Sequence, residues 1–556
     1  MRILSALICL AVAGAAPALD TARELVQSGA PRLALNRVEQ LQPREPKDPR
    51  WAEWETLRLE LLFSLGRDRE VLSRVAQLPP AMPERGLRDA LMLAARAAIA
   101  AGEGARVRAL AARVLWQLGA APGEARALRL LVIESHLADR AGDAAFRAML
   151  RFSQDYQPLE RATAARFVEA LLDLDMPREA ANWLASLEEA SAAKQRLLLR
   201  TGLLSPEAAI RQARAQLARG AGRGYWQVIA EAAARGGERS LALEAIEQLL
   251  QLADGAAQAA ALATELWQAY LSGAEDAANR NQLLTGDDGA WYDLASRRLG
   301  ADPPLARALF AHVAARGGIA ATRHSAQLQL VFLLEQGKLD LAALRLFEHA
   351  RLEPAALDAQ ARHRLGAIAE ARNRPALAAR FWDGLDVPPN AAPDDWHMRL
   401  ALVHWRAGNA DASVAALRRA VAEKKALSKD AAQRGMALGE DMLAAGRLDV
   451  ANAALEALLP LVETGQRRQI LSALGRIAEA SMRFAAAADY YLRSALFARA
   501  PDASALQARL AAALNLARAG YKEDARAQFE WLLRNSRDAA QLEIARRELA
   551  NLAGDR

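Results

Sequence analysis

Hydrophobic positions in residues 469–501, QILSALGRIAEASMRFAAAADYYLRSALFARAP, fall into two blocks at helical spacing. Ile470, Leu471, Leu474, Ile477 and Ala478 form the first, and Ala487, Tyr490, Tyr491 and Ala495 the second, with Met482-Arg483-Phe484 between them. Recurrence every three to four residues predicts one apolar face on each of two helices, and the interruption predicts a tight turn. Small residues (Gly475, Ala478, Ala487) stand where the helices must approach closely. Large ones (Leu474, Tyr491) stand where the gap must be filled, and Pro501 ends the second helix.

The same pattern recurs along the chain. The expected turns lie at Gly29, Gly66, Gly102, Gly142, Asp175, Gly202, Gly237, Gly273, Gly300, Gly337, Asn373, Gly408, Gly446, Met482 and Gly520. Most successive intervals fall between 33 and 40 residues, but Asp175–Gly202 and Gly273–Gly300 span only 27. Intervals that short predict irregular junctions or shortened helices. With the glycine-rich run at 220–224, they suggest a bend in the middle of the array and a boundary near Gly300. A last helix over 539–552 has no partner and suits a terminal cap.

Leu474-Gly475, Ala478, Ala487 and Tyr491 fall on the signature positions of the tetratricopeptide repeat, which this segment resembles. Matches of the same kind are Ala342, Leu346 and Pro354 after Gly337, and Leu365-Gly366 with Asn373, Ala378 and Trp382. Leu438-Gly439 with Ala451 and Leu455, and Ala525 with Phe529, extend the series. The resemblance is specific from about residue 323 onward, and nearer the N-terminus it rests on spacing. It implies an all-α, tetratricopeptide-like α-solenoid, a right-handed superhelix of about fifteen helical hairpins with a capping helix. Residues 19–300 would form a degenerate array and 301–556 a more regular one.

Composition agrees with this class. Hydrophobic residues make up 53% of the 556 positions but aromatics only 5%, the profile of long packed helices. Residues 1–18 differ from the rest: Arg2, an apolar stretch from Ile3 to Ala13, and Ala16-Pro17-Ala18 as a small-x-small site predict a signal peptide removed before Leu19. The alternative is a retained anchor, for which the apolar stretch is short. The one cysteine, Cys9, would leave with the leader, which excludes disulfides and thiolate chemistry from the mature chain. A periplasmic location in a Gram-negative cell is expected. The net charge of +6 comes almost wholly from arginine. Its two explanations are an acidic partner or membrane face, and codon bias together with helix propensity; the interspersed charges favour the second.

Sequence motifs for catalysis are missing. No G-x-S-x-G, Walker loop, H-E-x-x-H or Rossmann fingerprint occurs. His397 and His404 are the only histidine pair on one helix at compatible spacing, with Asp394 and Asp395 a turn away; as packing residues they are better explained than as metal ligands. Soluble lytic transglycosylases share a long α-superhelix, but their Glu-Ser and Gly-Leu-Met-Gln motifs are not reproduced: Glu134-Ser135 lies inside a repeat helix, and the repeats run to Arg556. The expectation is a non-enzymatic protein without cofactor or metal.

Binding residues are sought on the first helix of each hairpin, which lines the concave side of such a solenoid. Trp405, Arg406, Gln433, Gln469 and Arg476 are candidates there, with Gln360, His363, Glu370, Met398, Met436, Glu440 and Glu479 on the same side. Gln360, Gln433, Gln469 and Gln507 each stand thirteen residues before their turn, which suits either a polar ladder for a peptide or glycan, or a residue favoured near helix starts. Trp267, Tyr270, Trp291 and Tyr292, with Tyr225 and Trp226, form a second candidate patch for sugar stacking or peptide anchoring; aromatics at helical spacing also suit a core. In architecture and compartment the chain resembles the repeat regions of bacterial exopolysaccharide export proteins. That resemblance implies a scaffold or adaptor with envelope protein partners, and polysaccharide as the alternative ligand. Export argues against nucleic acid. Peripheral membrane association is compatible with the basic excess, and no later apolar run reaches membrane-spanning length.

Overall fold

The computed structural model describes residues 16–27, 29–80, 82–220, 222–278, 283, 286–349, 356–422, 424–497 and 502–554. Pro354, Pro501 and residues 1–15 of the expected leader lie outside them. Every regular element among the described residues is helical, and successive helices pair into tetratricopeptide-like hairpins. The chain forms two compact units, Met1–Gly237 and Glu238–Arg556. The boundary expected near Gly300 therefore falls inside the second unit.

Most of the expected turns are made as the sequence reading placed them. Gly29, Gly66, Gly102, Asp175, Gly202, Gly237, Asn373, Gly408, Gly446, Met482 and Gly520 all have positive φ. Four positions differ, the first being Gly300, which lies in a turn without positive φ. Arg140 and Lys338 take the left-handed conformation in place of Gly142 and Gly337. Gly142 instead opens the next helix, where a Cβ would stand 2.5 Å from the Met176 sulfur, so it is a packing glycine. Gly273 makes no turn at all. It is buried within the 22-residue helix Ala256–Ala277, facing Leu243.

In the first unit the short interval after Asp175 has a local cause. The second helix of that hairpin is cut to Pro177–Ala180 and continues as a 3-10 turn, Ala181–Ser186. Trp183 anchors the shortened segment. Its ring packs edge-on to Phe146 and Phe167, and its indole N–H donates to Ser153 Oγ at 2.9 Å.

In the second unit, six hairpins from residue 320 onward obey one rule. The residues seven before, five after and nine after the turn are all buried. These triplets are Leu330/Ala342/Leu346, Gly366/Ala378/Trp382, Ala401/Ser413/Leu417, Gly439/Ala451/Leu455, Gly475/Ala487/Tyr491 and Ala513/Ala525/Phe529. Where the first member is glycine, it faces the third across the hairpin. A Cβ on Gly366 would lie 2.0 Å from Trp382 Nε1, one on Gly439 2.4 Å from Leu455 Cδ2, and one on Gly475 2.7 Å from Tyr491 Cε1. The middle member brings the backbones close: Ser413 Oγ donates to the Ala401 carbonyl at 2.7 Å.

The start of the second unit departs from nearest-neighbour stacking. Helix Asp340–Glu348 packs back on Arg239–Gln251 and Ala256–Ala277, closing a bundle over residues 239–348. Arg345 donates to the carbonyls of Gln251 (3.0 Å) and Ala253 (2.9 Å), at and just beyond the end of the earlier helix. Inside this bundle Arg307 donates to both carboxylate oxygens of Glu247, and the Tyr270 hydroxyl donates to Glu247 Oε1 at 2.7 Å. All three groups are buried. Burial alone would lower the Arg307 pKa, but the Glu247 carboxylate outweighs it and holds the guanidinium charged. Tyr270 is pushed well above its usual range, by burial first and then by the Glu247 charge.

Two stability predictions follow from these contacts. Gly475→Leu should cost about 2 kcal/mol or more by overpacking against Tyr491. Gly465→Ala, where nothing lies within 4 Å of the added Cβ, should leave the thermal midpoint nearly unchanged. Arg307→Met strands a buried carboxylate and should cost about 3–5 kcal/mol in urea unfolding, whereas Tyr270→Phe should cost about 1 kcal/mol.

Candidate functional site

Three first helices of the second unit, Lys429–Ala444, Thr464–Ala480 and Ala503–Arg518, start under local control. Ser428 Oγ accepts from the Ala431 N–H at 3.3 Å, and Asp502 accepts from the Ala505 N–H at 2.8 Å. Between them the Gln466 side chain accepts from the Glu463 N–H at 3.4 Å at the head of the second helix. With helix start and turn both fixed, the position thirteen before each turn recurs on the same face. Gln433, Gln469 and Gln507 thus line one groove of about 820 Å³, with Met436, Glu440, Arg468, Ser472, Arg476 and Ser504 around them and Tyr491 beneath. Of the four expected glutamines, Gln360 is exposed on helix Ala359–Ala371 but lies outside this groove.

The charges of the groove are committed to each other. Arg476 pairs with Glu440. Arg468 pairs with Asp502, its Nη1 donating to Oδ2 at 2.6 Å, and Arg518 Nη1 lies 2.5 Å from Glu479 Oε1. Each pair joins one first helix to the next. Hydrogen bonding from Arg468, followed by the backbone donors of the helix start, holds Asp502 well below the usual carboxylate range. The Tyr491 hydroxyl donates to Glu479 at 3.2 Å, and its pKa is raised by burial and then by that carboxylate. In contrast, the exposed carboxamides of Gln433, Gln469 and Gln507 have no hydrogen-bond partner among the described residues.

The same wiring engages many of the other arginines. Arg406 bonds Asp441, Arg399 bonds Glu370, and Arg364 bonds Glu335. In the first unit Arg108 bonds Asp139, Arg126 bonds Glu160, and Arg166 bonds Glu134. Each pair spans roughly one repeat. Exposed pairs contribute at most about 1 kcal/mol each, but they leave these arginines neutralised rather than gathered in a basic patch.

In the second candidate patch Tyr270 and Trp291 are core residues, and Tyr225, Trp226, Trp267 and Tyr292 are part-buried. Tyr270 is 0% exposed and Trp291 7%, stacked on His312 at 4.1 Å between centroids. Trp267 is half-buried; its indole N–H donates to the Leu346 carbonyl at 3.1 Å and its ring meets Phe347 edge-on. Tyr270 and Trp291 close the bundle and offer no stacking face, while Trp267 is committed to Leu346 and Phe347. Tyr292 packs edge-on to Phe310, and the Tyr225 hydroxyl bonds the Ala190 carbonyl. Trp405 is half-buried and Arg406 exposed on helix Pro393–Arg406, away from the groove. Met398, expected on the binding side, is fully buried. Ser472, in the middle of its helix, and Ser504, near the start of the next first helix, are groove residues that the spacing argument passed over.

His363, His397 and His404 are packing residues of two neighbouring helices, and His363 meets Trp396 edge-on at 4.9 Å. Among the described residues no group of three or more His, Cys, Asp and Glu is placed to hold a metal ion, and no helix is long and apolar enough to cross a membrane.

No family model matches the chain, and no curated protein does. Among solved structures, the chain aligns with the APC/C hetero-tetramer Cut9-Hcn1 at 12% identity, covering 95% of each chain, with a TM-score of 0.27. It aligns with Naa15/Naa10 bound to HypK-THB at 12% identity over 97% of each chain, TM-score 0.21. Yeast Tom70 aligns at 10% identity over 97% of this chain and 96% of its own, TM-score 0.22. Such scores do not establish a shared arrangement of helices.

Burial lowers the pKa of His363, His397 and His404 below the ordinary imidazole value. The unfolded chain takes up protons near pH 6.5 while the folded chain resists them, so stability is full above that value and falls as pH drops through it. The expected outcome is a lower melting temperature at mildly acidic than at neutral pH, with the difference reduced in His397→Gln and His404→Gln.

Proposed function

We propose that this protein is a non-enzymatic scaffold that holds protein partners along the first-helix groove of its second unit. The observation that carries the reading is the row of three unpartnered carboxamides on successive hairpins, in a concave surface whose charges are otherwise satisfied. A repeat array builds such a surface from identical steps, so it suits an extended partner better than a small molecule. Placement in the cell envelope rests on the leader-like residues 1–18. A role beside an exopolysaccharide export machine is the finer form of this proposal, and it rests on architecture and compartment.

A photo-crosslinking residue at Ser472, inside the groove, tests the docking site against one at Asp489, which is exposed on helix Phe484–Leu496 outside it. Polypeptide adducts from the first position and none from the second are expected. Equal labelling at both, or labelling only at Asp489, would remove the groove as the docking site. Recovery of the chain in a periplasmic fraction with Leu19 as its first residue checks the envelope placement.

A further inference from the structure

A second cleft lies in the first unit, on residues separate from those of the groove. Trp116 is the only exposed tryptophan among the described residues, at 74%. It stands near the end of helix Gly104–Gln117, the second helix of its hairpin, and walls a cleft of about 300 Å³ between that helix and the next second helix, Gly142–Asp155. Ala112 and Ala148, one on each of these helices, are too short to close it. Leu115, Val132 and Phe152 make the rest of its lining apolar. An aromatic ring left in water beside an apolar slot forgoes burial that a partner supplies.

Charge narrows the occupant. The lining holds three arginines and no carboxylate. Arg108 and Arg129 are paired with Asp139 and Asp155. Arg151 makes no hydrogen bond or ion pair among the described residues, and neither does Arg113, exposed on the same helix three residues before Trp116. Asp143, the only other carboxylate on the two second helices, lies about two turns from Arg151. Elsewhere in this unit arginines reach a carboxylate about one repeat away, as Arg126 and Arg166 do. Two unmatched guanidinium groups therefore accompany an unfilled apolar slot. Shape adds to charge. Sites that enclose a whole small ligand run from about 300 to 1,000 Å³, so this cleft, at the lower end, suits one anchoring group carried by a larger molecule. A lipid surface is flat, whereas a slot is filled by a projecting side chain.

We propose that this cleft is a second docking site, for an acidic segment of a protein partner that inserts one large apolar side chain beside Trp116 and sets carboxylates against Arg113 and Arg151. Burial of the anchor with the indole ring supplies most of the affinity. Guanidinium–carboxylate hydrogen bonds fix the orientation of the segment.

Fluorescence anisotropy of the full chain with a labelled glutamate-rich peptide bearing one central phenylalanine tests this. The peptide should bind, and replacing its phenylalanine by alanine, or its glutamates by glutamines, should each weaken binding about tenfold or more. Trp116→Ala should do the same, and so should Arg113→Glu combined with Arg151→Glu, with melting profiles unchanged because all three side chains are exposed. Raising the salt concentration should weaken the complex, and the bound peptide should shield the exposed tryptophan from acrylamide quenching. No binding, or equal affinity for the Trp116→Ala variant, would overturn the proposal. Sedimentation with phosphatidylglycerol vesicles that is lost in Trp116→Ala and unaffected by the peptide would overturn it in favour of an anionic lipid surface. Crosslinking at Ser472 should persist in Trp116→Ala; its loss would overturn the separation of this site from the groove.

Discussion

The structure depends on how closely two helices of a hairpin can approach. At Gly475 the first helix presents no side chain to the ring of Tyr491, and at Gly366 and Gly439 the same gap receives Trp382 and Leu455. The small residue five after the turn, such as Ala487 or Ser413, completes the contact. Fixing this distance fixes the phase of each helix. Phase in turn decides which side chains emerge on the concave face, so the groove is a consequence of hairpin packing rather than a separate device. In the hairpin of Leu330 and Leu346 the first member is large instead, and that hairpin belongs to the bundle over residues 239–348.

The bundle over residues 239–348 follows a different logic. Its contacts link residues 60 to 95 apart in sequence, through Glu247–Arg307 and Arg345 with the carbonyls at the end of helix Arg239–Gln251. A buried ion pair gives little net stability for the desolvation it requires, but losing one partner is expensive. Such a pair therefore fixes which helices meet. The aromatics once grouped by sequence around Trp267 and Trp291 serve the same closure.

Legibility in the sequence divides along these lines. Hairpin turns and their facing triplets repeat at a fixed offset, so they could be read from spacing alone; Asn373 and Met482 were found as turns without being glycine. Gly273 misled because glycine also occurs where helices cross closely, as it does against Leu243. The bundle left no periodic trace. Its one readable sign was Arg307 as the lone charge in the apolar run PPLARALFAHVAA, which becomes meaningful only when it is known to meet Glu247. For the groove, the thirteen-residue offset singles out Gln433, Gln469 and Gln507 in the sequence, but not that Gln360 stands apart. The ion pairs were hidden for another reason: their partners lie one repeat away, beyond any helical neighbour rule.

Hydrogen–deuterium exchange of the full chain, with and without a saturating amount of the polypeptide that crosslinks at Ser472, tests most directly that the first helices of these hairpins form the binding surface. Slowed exchange confined to Lys429–Ala444, Thr464–Ala480 and Ala503–Arg518 is the result the account predicts. Protection of the second helices, Leu448–Leu458 and Phe484–Leu496, or of the bundle over 239–348, with the groove unchanged, would contradict it.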